Sequence, residues 1–336
     1  MISSALMERF DDDTRLQLDE VMREMKHVEQ ELQLQVGSRV ELVTSVSRHT
    51  LDGGGKRLRP AFVWLAAKAT GLPYDIERTR KLGACMEMIH MATLIHDDVV
   101  DNSPMRRGRE TAHVAYGSTA SVLAGDCLLA KAMDILAEDG DLNIIRCVSK
   151  SVVGMAEGEV REVETRNRFD LSLQDHFEIL DLKTAAFIES CCEVGALIAG
   201  ADSESRDALK HYGKNIGLAF QIVDDLIDYQ GPASVTGKTP GTDFREGCAT
   251  LPLILLRDHL SEQEFEVASR KFGNGVGDDE IQMIINWMET RGAFAESAAY
   301  AGEYLEAALQ DLQRLPDSPT RDLLGLMAQF VVNRSA

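Results

Sequence analysis

The sequence predicts an all-α protein on three observations. Apolar residues recur at helical spacing along nearly every segment, and no stretch shows the alternation of a strand. Proline is scarce, 8 in 336 residues, so long helices can run unbroken. Aromatics are only 6% of a chain that is 44% apolar, and Leu, Ala, Met, Glu and Ile are plentiful, which favours a helical core.

The helices follow in order. TRLQLDEVMREMKHVEQELQ, 14–33, is amphipathic. RTRKLGACMEMIHMATLIHDDVVD, 78–101, is a long apolar helix that turns acidic at its end, with Pro104 just beyond to stop it. STASVLAGDCLLAKAMDILAEDG, 118–140, closes at Asp139-Gly140. DALKHYGKNIGLAFQIVDDLIDYQG, 207–231, repeats the acidic ending and stops at Gly231. PLILLRDHLSEQEFEVASRKFG, 252–273, reads as one helix, and ESAAYAGEYLEAALQDLQRL, 296–315, completes the set. Length alone suggests about two domains. With no Pro/Ser-rich linker and no low-complexity segment, one all-α domain over 1–336 is expected instead.

A formal charge of −20 argues against a nucleic-acid partner. No apolar run reaches the roughly 18 residues of a membrane span. The N-terminal stretch carries early acids rather than a basic-then-apolar pattern, so no secretory signal is read and a cytoplasmic location is expected. Six cysteines without metal-type spacing suit reduced thiols, and the adjacent Cys191 and Cys192 read as core.

The chemistry concentrates in two Asp-Asp-x-x-Asp stretches, IHDDVVD and QIVDDLIDY. Asp97 and Asp101 lie at i,i+4, as do Asp224 and Asp228, so each pair shares a helix face with Cβ atoms about 5–6 Å apart. Like charges at that spacing, at the negative end of a helix dipole, cost about 0.3–1 kcal/mol each and call for a compensating cation. Taken singly, either motif reads equally as a solvated acidic helix end. Two of them, each on an apolar helix and without Cys or His, point to a hard ion such as Mg²⁺. Basic residues gather in glycine-flanked clusters: Lys56 and Arg59 in GGGKRLRP, Arg106 and Arg107 in MRRGR, and Lys238 in VTGKTPG. Acids for metal and bases for phosphate together make a site that stabilises a diphosphate, particularly a departing one.

On these residues the chain resembles the trans-polyprenyl diphosphate synthases, long-chain type. GGGKRLRP, LIHDDVVDNSPMRRG, GDCLLAKA, KTAAFIE, FQIVDDLIDY and TGKTPGTDFREG occur in that family's order. The resemblance implies the isoprenoid synthase fold: a bundle of mostly antiparallel helices around a deep central cavity, with the two aspartate motifs facing each other at its mouth, usually as a homodimer. It implies that Asp97, Asp101, Asp224 and Asp228 hold about three Mg²⁺ ions, with Asp98 and Asp225 acting behind them or through water. Lys56, Arg59, His90 and Arg107 match the isopentenyl diphosphate site. Arg106, Lys183, Thr184, Gln221 and Lys238 match the allylic diphosphate site. Ionisation of the allylic diphosphate gives a cation that the isopentenyl double bond attacks, and an apolar, water-poor cavity protects it. The carbonyls near Lys183 and Thr184 and the Gln221 amide would stabilise that cation. His96 reads as structural.

Chain length is expected to follow from Ala92, five residues or about 7.5 Å before Asp97. Short-chain relatives carry an aromatic floor near that level. Here Ala92, Ile89, Met88 and Cys85 leave the path open, which implies octaprenyl to decaprenyl products of the kind used for quinone side chains. Transient membrane contact at product release is compatible with such products, although no segment encodes it. Two positions depart from the family pattern: Cys248 stands where Lys usually follows REG, with Arg245 expected to substitute in part, and Glu162 stands where many relatives carry Gln. Two other readings compete with this one. A partner-dependent or non-catalytic subunit of a heteromeric synthase would tend to lack one aspartate motif. An HD-type metal phosphohydrolase, suggested by His96-Asp97, would need further histidine ligands.

Overall fold

A computed structural model describes residues 12–231 and 239–333. Among the described residues the protein is helical apart from one two-stranded hairpin. It divides into two compact units. The first comprises the chain up to Ser149 together with Ser190–Lys210 and Arg314–Leu324; the second comprises Lys150–Glu189, His211–Gln313 and the chain from Gly325 onward.

In the first unit, helices α1 (Asp12–Gln35), α2 (Glu41–Asp52) and α3 (Leu58–Ala69) lead to α4 (Ile76–Val100). Asp75 caps α4 by accepting hydrogen bonds from the Glu77 and Arg78 amides at 3.0 and 3.1 Å. The helix buries residues on all sides, Leu82, Met86, Met88, Ile89 and Ile95 among them, as expected of a central helix rather than a surface one. It packs on α1, α3 and α6 (Ser118–Asp139). Between α4 and α6 come strands β1 (Met105–Arg106) and β2 (Arg109–Glu110) and the short α5 (Ala112–Tyr116).

That hairpin corrects the expectation of no strands. Its register pairs Met105 with Glu110 and Arg106 with Arg109. Arg107 and Gly108 form the turn at φ 52° and 74°, the double left-handed conformation of a two-residue hairpin loop. A ladder this short has no room for alternation, which is why periodicity misses it.

The second unit takes in most of α7 (Leu142–Thr165), then α8 (Leu173–Leu180) and a π-helical turn at Asp181–Ala185 that runs into α9 (Ala186–Ile198). The chain returns to it in α10 (Ser203–Gln230) and continues through α11 (Thr242–Glu246), α12 (Leu251–Arg257), α13 (Glu262–Lys271), α14 (Asp278–Thr290) and α15 (Ala293–Leu312); α16 (Pro319–Asn333) ends the chain. Its core is built around Phe169, Phe244 and Phe272, whose rings meet edge to face, and around α12, nearly all of which is buried. The stretch 252–273, expected as one helix, is two. Ser261 and Glu264 form a reciprocal capping box that starts α13 afresh.

No described helix is long and apolar enough to cross a membrane. All six cysteines are free, and Cys85, Cys191 and Cys192 are buried.

Candidate functional site

In the first unit the site residues gather at the C-terminal end of α4. Asp97 and Asp101 are half-buried, whereas Asp98, one step round the helix, is buried at 5% exposure. Asp98 accepts a 2.7 Å charge-assisted hydrogen bond from Arg106 Nε on β1. Burial pushes the Asp98 carboxyl above its ordinary pKa, and the Arg106 bond opposes that rise. The hairpin is strapped down at several points. Arg107 Nη1 donates to the Gly54 carbonyl in the glycine loop, Arg109 Nη1 to the Asp52 carbonyl at 2.8 Å, and His49 Nε2 lies 2.7 Å from the Glu110 carbonyl. The MRRG and GGGKRLRP stretches are thereby brought together. Arg107 is held in a backbone conformation that non-glycine residues seldom adopt, and such strain clusters at functional sites.

His90, two turns before Asp97, sits amid these cations. Desolvation, then the charges of Arg59, Arg107, Arg106 and Arg57, pull its pKa well below the ordinary value of 6.5, so the ring is neutral. Arg57 is satisfied, paired to Glu29 at 2.7 Å and Glu87 at 3.1 Å. Arg59 differs: its buried Nε has no hydrogen-bond partner among the described residues. Burial and the neighbouring arginines also depress the Arg107 pKa. Cations crowded together with a buried donor unmatched describe a place for an anion. Lys56 is exposed beside this group. His96 turns away from it: its Nε2 lies 3.2 Å from the Val122 carbonyl and 3.5 Å from Asp126 on α6.

Ala92, Met88, Ile89 and Cys85 are all buried on α4, and the Cys85 thiol donates to the Ala132 carbonyl at 3.3 Å.

In the second unit, Lys183 and Thr184 lie on the π-turn. Such turns leave backbone groups out of the regular ladder and often mark functional sites. Two helices approach it closely through glycine. A Cβ at Gly217 on α10 would fall 2.5 Å from Ala185 Cα, and one at Gly158 on α7 would fall 2.8 Å from the Lys183 amide nitrogen. Lys183 Nζ is held between Glu159 and Glu162, 2.9 Å from each. Desolvation alone would lower its pKa, but the two carboxylates outweigh it and hold the ammonium above the ordinary range.

The second aspartate motif, near the end of α10, repeats the first. Asp224 and Asp228 are half-buried and Asp225 is buried. Asp225 accepts from the Leu251 amide at 3.3 Å and lies 3.2 Å from His176 Nε2, a close electrostatic contact rather than an aligned hydrogen bond. Asp228 is tied to the following loop, its Oδ2 accepting from the Asp243 amide at 3.1 Å and its carbonyl from Gly241 at 2.9 Å. Gln221, one turn before Asp225, is half-buried. Lys238 lies outside the described residues.

Cys248 follows Gly247, the left-handed residue that ends α11. Burial first, then the charges of Glu162 and Asp243, push its thiol up to about 12, so it is a neutral group. Arg245 does not stand in for the missing lysine. Its guanidinium is committed to the Val276 carbonyl at 2.6 Å and to Asp278 at 2.7 Å. Glu159 and His176 went unnoticed in the sequence. Glu159 had a signal, since it stands at i,i+3 to Glu162 on α7 and so shares its face. His176 had none, because its partner Asp225 is remote in sequence.

The donor chemistry fits Mg²⁺. Each motif presents two half-buried carboxylates at i,i+4, and all the candidate ligands are hard oxygens.

A family model described as polyprenyl synthetase matches residues 40–288. The octaprenyl diphosphate synthase of Escherichia coli (strain K12) is 35% identical over 300 residues, covering 89% of this chain and 92% of that one. Among solved structures, a decaprenyl diphosphate synthase from Rhodobacter capsulatus superposes with a TM-score of 0.89 at 33% identity, over 95% of this chain and 98% of that one. A polyprenyl synthase from Caulobacter crescentus CB15, complexed with calcium and isoprenyl diphosphate, gives 0.89 at 35% identity, over 95% and 97%.

Proposed function

The chain belongs to the polyprenyl synthetase family, and on that premise we propose that it condenses isopentenyl diphosphate repeatedly onto an allylic primer such as farnesyl diphosphate. It is a prenyltransferase that makes long-chain trans-polyprenyl diphosphates. The observation that carries the substrate reading is the group of arginines around neutral His90, with Arg59 Nε buried and unmatched. A diphosphate supplies the oxygens that this group lacks.

In this reading Lys56, Arg59, His90 and Arg107 bind isopentenyl diphosphate. His90, being neutral, donates or accepts one hydrogen bond without adding charge. Arg106 (anchored by Asp98), Lys183 and Lys238 would bind the allylic diphosphate, and Asp97, Asp101, Asp224 and Asp228 would hold about three Mg²⁺ ions. Bound Mg²⁺ supplies Lewis-acid neutralisation of the departing diphosphate. The Thr184 region of the π-turn and the Gln221 amide face the developing allyl cation, and buried apolar helices keep water from it. Asp98 and Asp225 position rather than ligate, each being buried and engaged by a basic side chain, Arg106 and His176 respectively.

The product falls between octaprenyl and decaprenyl, suited to quinone side chains, with Ala92, Ile89, Met88 and Cys85 setting its length. Two findings support this: none of the four is aromatic, and two of the similar synthases are named for octaprenyl and decaprenyl products. The working form is a cytoplasmic homodimer of single-domain chains, touching the membrane only as product leaves. Both aspartate motifs are intact, which favours a catalytic chain over a passive subunit. The test is purified chain with farnesyl and isopentenyl diphosphates and Mg²⁺, reading diphosphate release and chromatographing the lipid. Released diphosphate with products of about 40–50 carbons supports the reading, and no release with any allylic primer refutes it.

A further inference from the structure

Glu162 and Cys248 share one electrostatic neighbourhood in the second unit, where Lys183 stands between two carboxylates. Glu162 on α7 bonds Lys183 Nζ at 2.9 Å. Its charge also reaches Cys248, as do those of Asp243 and Arg166. Asn167, two residues past the end of α7, takes the Gly247 carbonyl on its amide at 2.7 Å and so fixes the REG turn beside that helix. With Gln and Lys at these two positions, the pair would carry one positive charge. Here it carries one negative charge, a swing of two.

We propose that Glu162 is a positioning residue for the allylic diphosphate. Together with Glu159 it clamps Lys183 in the ligand-free chain, and the neutral Cys248 belongs to the same device. The inference rests on the allylic role of Lys183 given above. An incoming diphosphate has to draw Lys183 away from Glu162 before the lysine can serve it. A lysine placed at 248 would add a cation within reach of the Glu162 charge, which already acts on Cys248, and would compete with Lys183 for it. Restoring the cation alone therefore does not restore the contact. The glutamate has to be neutralised first, and the two positions are coupled.

Glu162→Gln keeps the shape of the side chain and removes its charge, so a folded variant is expected and thermal melting verifies it. The probe is farnesyl thiolodiphosphate, an allylic analogue that does not ionise readily, titrated calorimetrically with Mg²⁺ into wild type, Glu162→Gln, Cys248→Lys and the double variant. Glu162→Gln should tighten binding about tenfold, about 1.4 kcal/mol. Cys248→Lys should gain about threefold or less in the wild-type background and about tenfold in the Glu162→Gln background, a coupling well within reach of a double-mutant cycle. In steady state the KM for the allylic substrate should move in parallel while that for isopentenyl diphosphate stays fixed. The proposal is overturned if Cys248→Lys gains the same factor in both backgrounds, if Glu162→Gln leaves analogue affinity unchanged, or if both substrates' KM values shift together. An active wild type with uncoupled variants refutes this inference alone. A wild type that neither binds the analogue nor turns over refutes the functional reading, and this inference with it.

Discussion

The seat of the π-turn offers a sharp test, because two glycines on one helix face it at different distances. A Cβ at Gly158 would meet the Lys183 amide nitrogen at 2.8 Å, Leu182 Cβ at 2.9 Å and the Leu182 carbonyl carbon at 3.2 Å. Two of those atoms are backbone and cannot rotate aside. A Cβ at Gly154, one turn earlier, would meet Leu182 Cδ2 at 3.6 Å and the Leu182 carbonyl oxygen at 4.0 Å, both ordinary contacts. Both substitutions to alanine gain roughly 0.5–1 kcal/mol of helix propensity. Only Gly158→Ala adds overpacking, about 1–3 kcal/mol. The difference between the two variants isolates the steric effect, and their thermal midpoints should differ by roughly 1–4 °C. The clash bears on Lys183 itself, so Gly158→Ala should also lose at least about tenfold in kcat/KM for the allylic substrate, since small misplacements of a binding group are amplified in rate. Gly154→Ala should match wild-type turnover and melt slightly higher. Circular dichroism melts and initial rates on purified variants decide it. If Gly158→Ala is as stable and as active as Gly154→Ala, the close approach does not hold the turn in place.

Asp97→Ala and Asp224→Ala should each cut turnover by orders of magnitude with helical dichroism intact, and EDTA in excess should silence the wild type; near-normal rates in either variant would remove the metal role. Ala92→Phe places a ring where the growing chain is proposed to pass, and overpacking of about 1–3 kcal/mol should divert elongation to products of roughly fifteen to twenty carbons; an unchanged product ladder would place the path elsewhere. His90 has a folded pKa depressed below 6.5, so its contribution to stability is complete above that pH and is lost as pH falls towards the folded value. Urea midpoints from pH 7.5 to 5 should therefore decline, and less steeply in His90→Gln; parallel slopes would show that His90 is not responsible.

Helical architecture was legible because its signal is repeated many times along the chain, and each long helix has stop residues to confirm it. What escaped was local and brief. The capping box Ser261/Glu264 was present in SEQE, but the apolar pattern on either side runs on in phase and masks the break. The Met105–Glu110 hairpin has two residues per strand, too few for any alternation, and its turn uses arginine where glycine would have advertised it. The π-turn has no composition of its own. It arises because Gly158 and Gly217 let two helix backbones crowd one turn, and no window confined to DLKTA contains those glycines.

The candidate site shows the same division between what spacing fixes and what partners fix. Helical geometry puts Asp97 with Asp101 and Asp224 with Asp228, and it turns each middle aspartate about 100° from the first, towards the body of the protein. A carboxylate turned inward must find a donor, because an unpaired buried charge is heavily penalised. Asp98 finds Arg106 eight residues on, within sight of a sequence reading. Asp225 finds His176 and the Leu251 amide, 49 and 26 residues away, which no local pattern reveals. The motif thus encodes two outward carboxylates and one inward anchor. The identity of the anchor's partner is set by the fold, and so is the clamp on Lys183 that makes sense of Glu162 and Cys248 together.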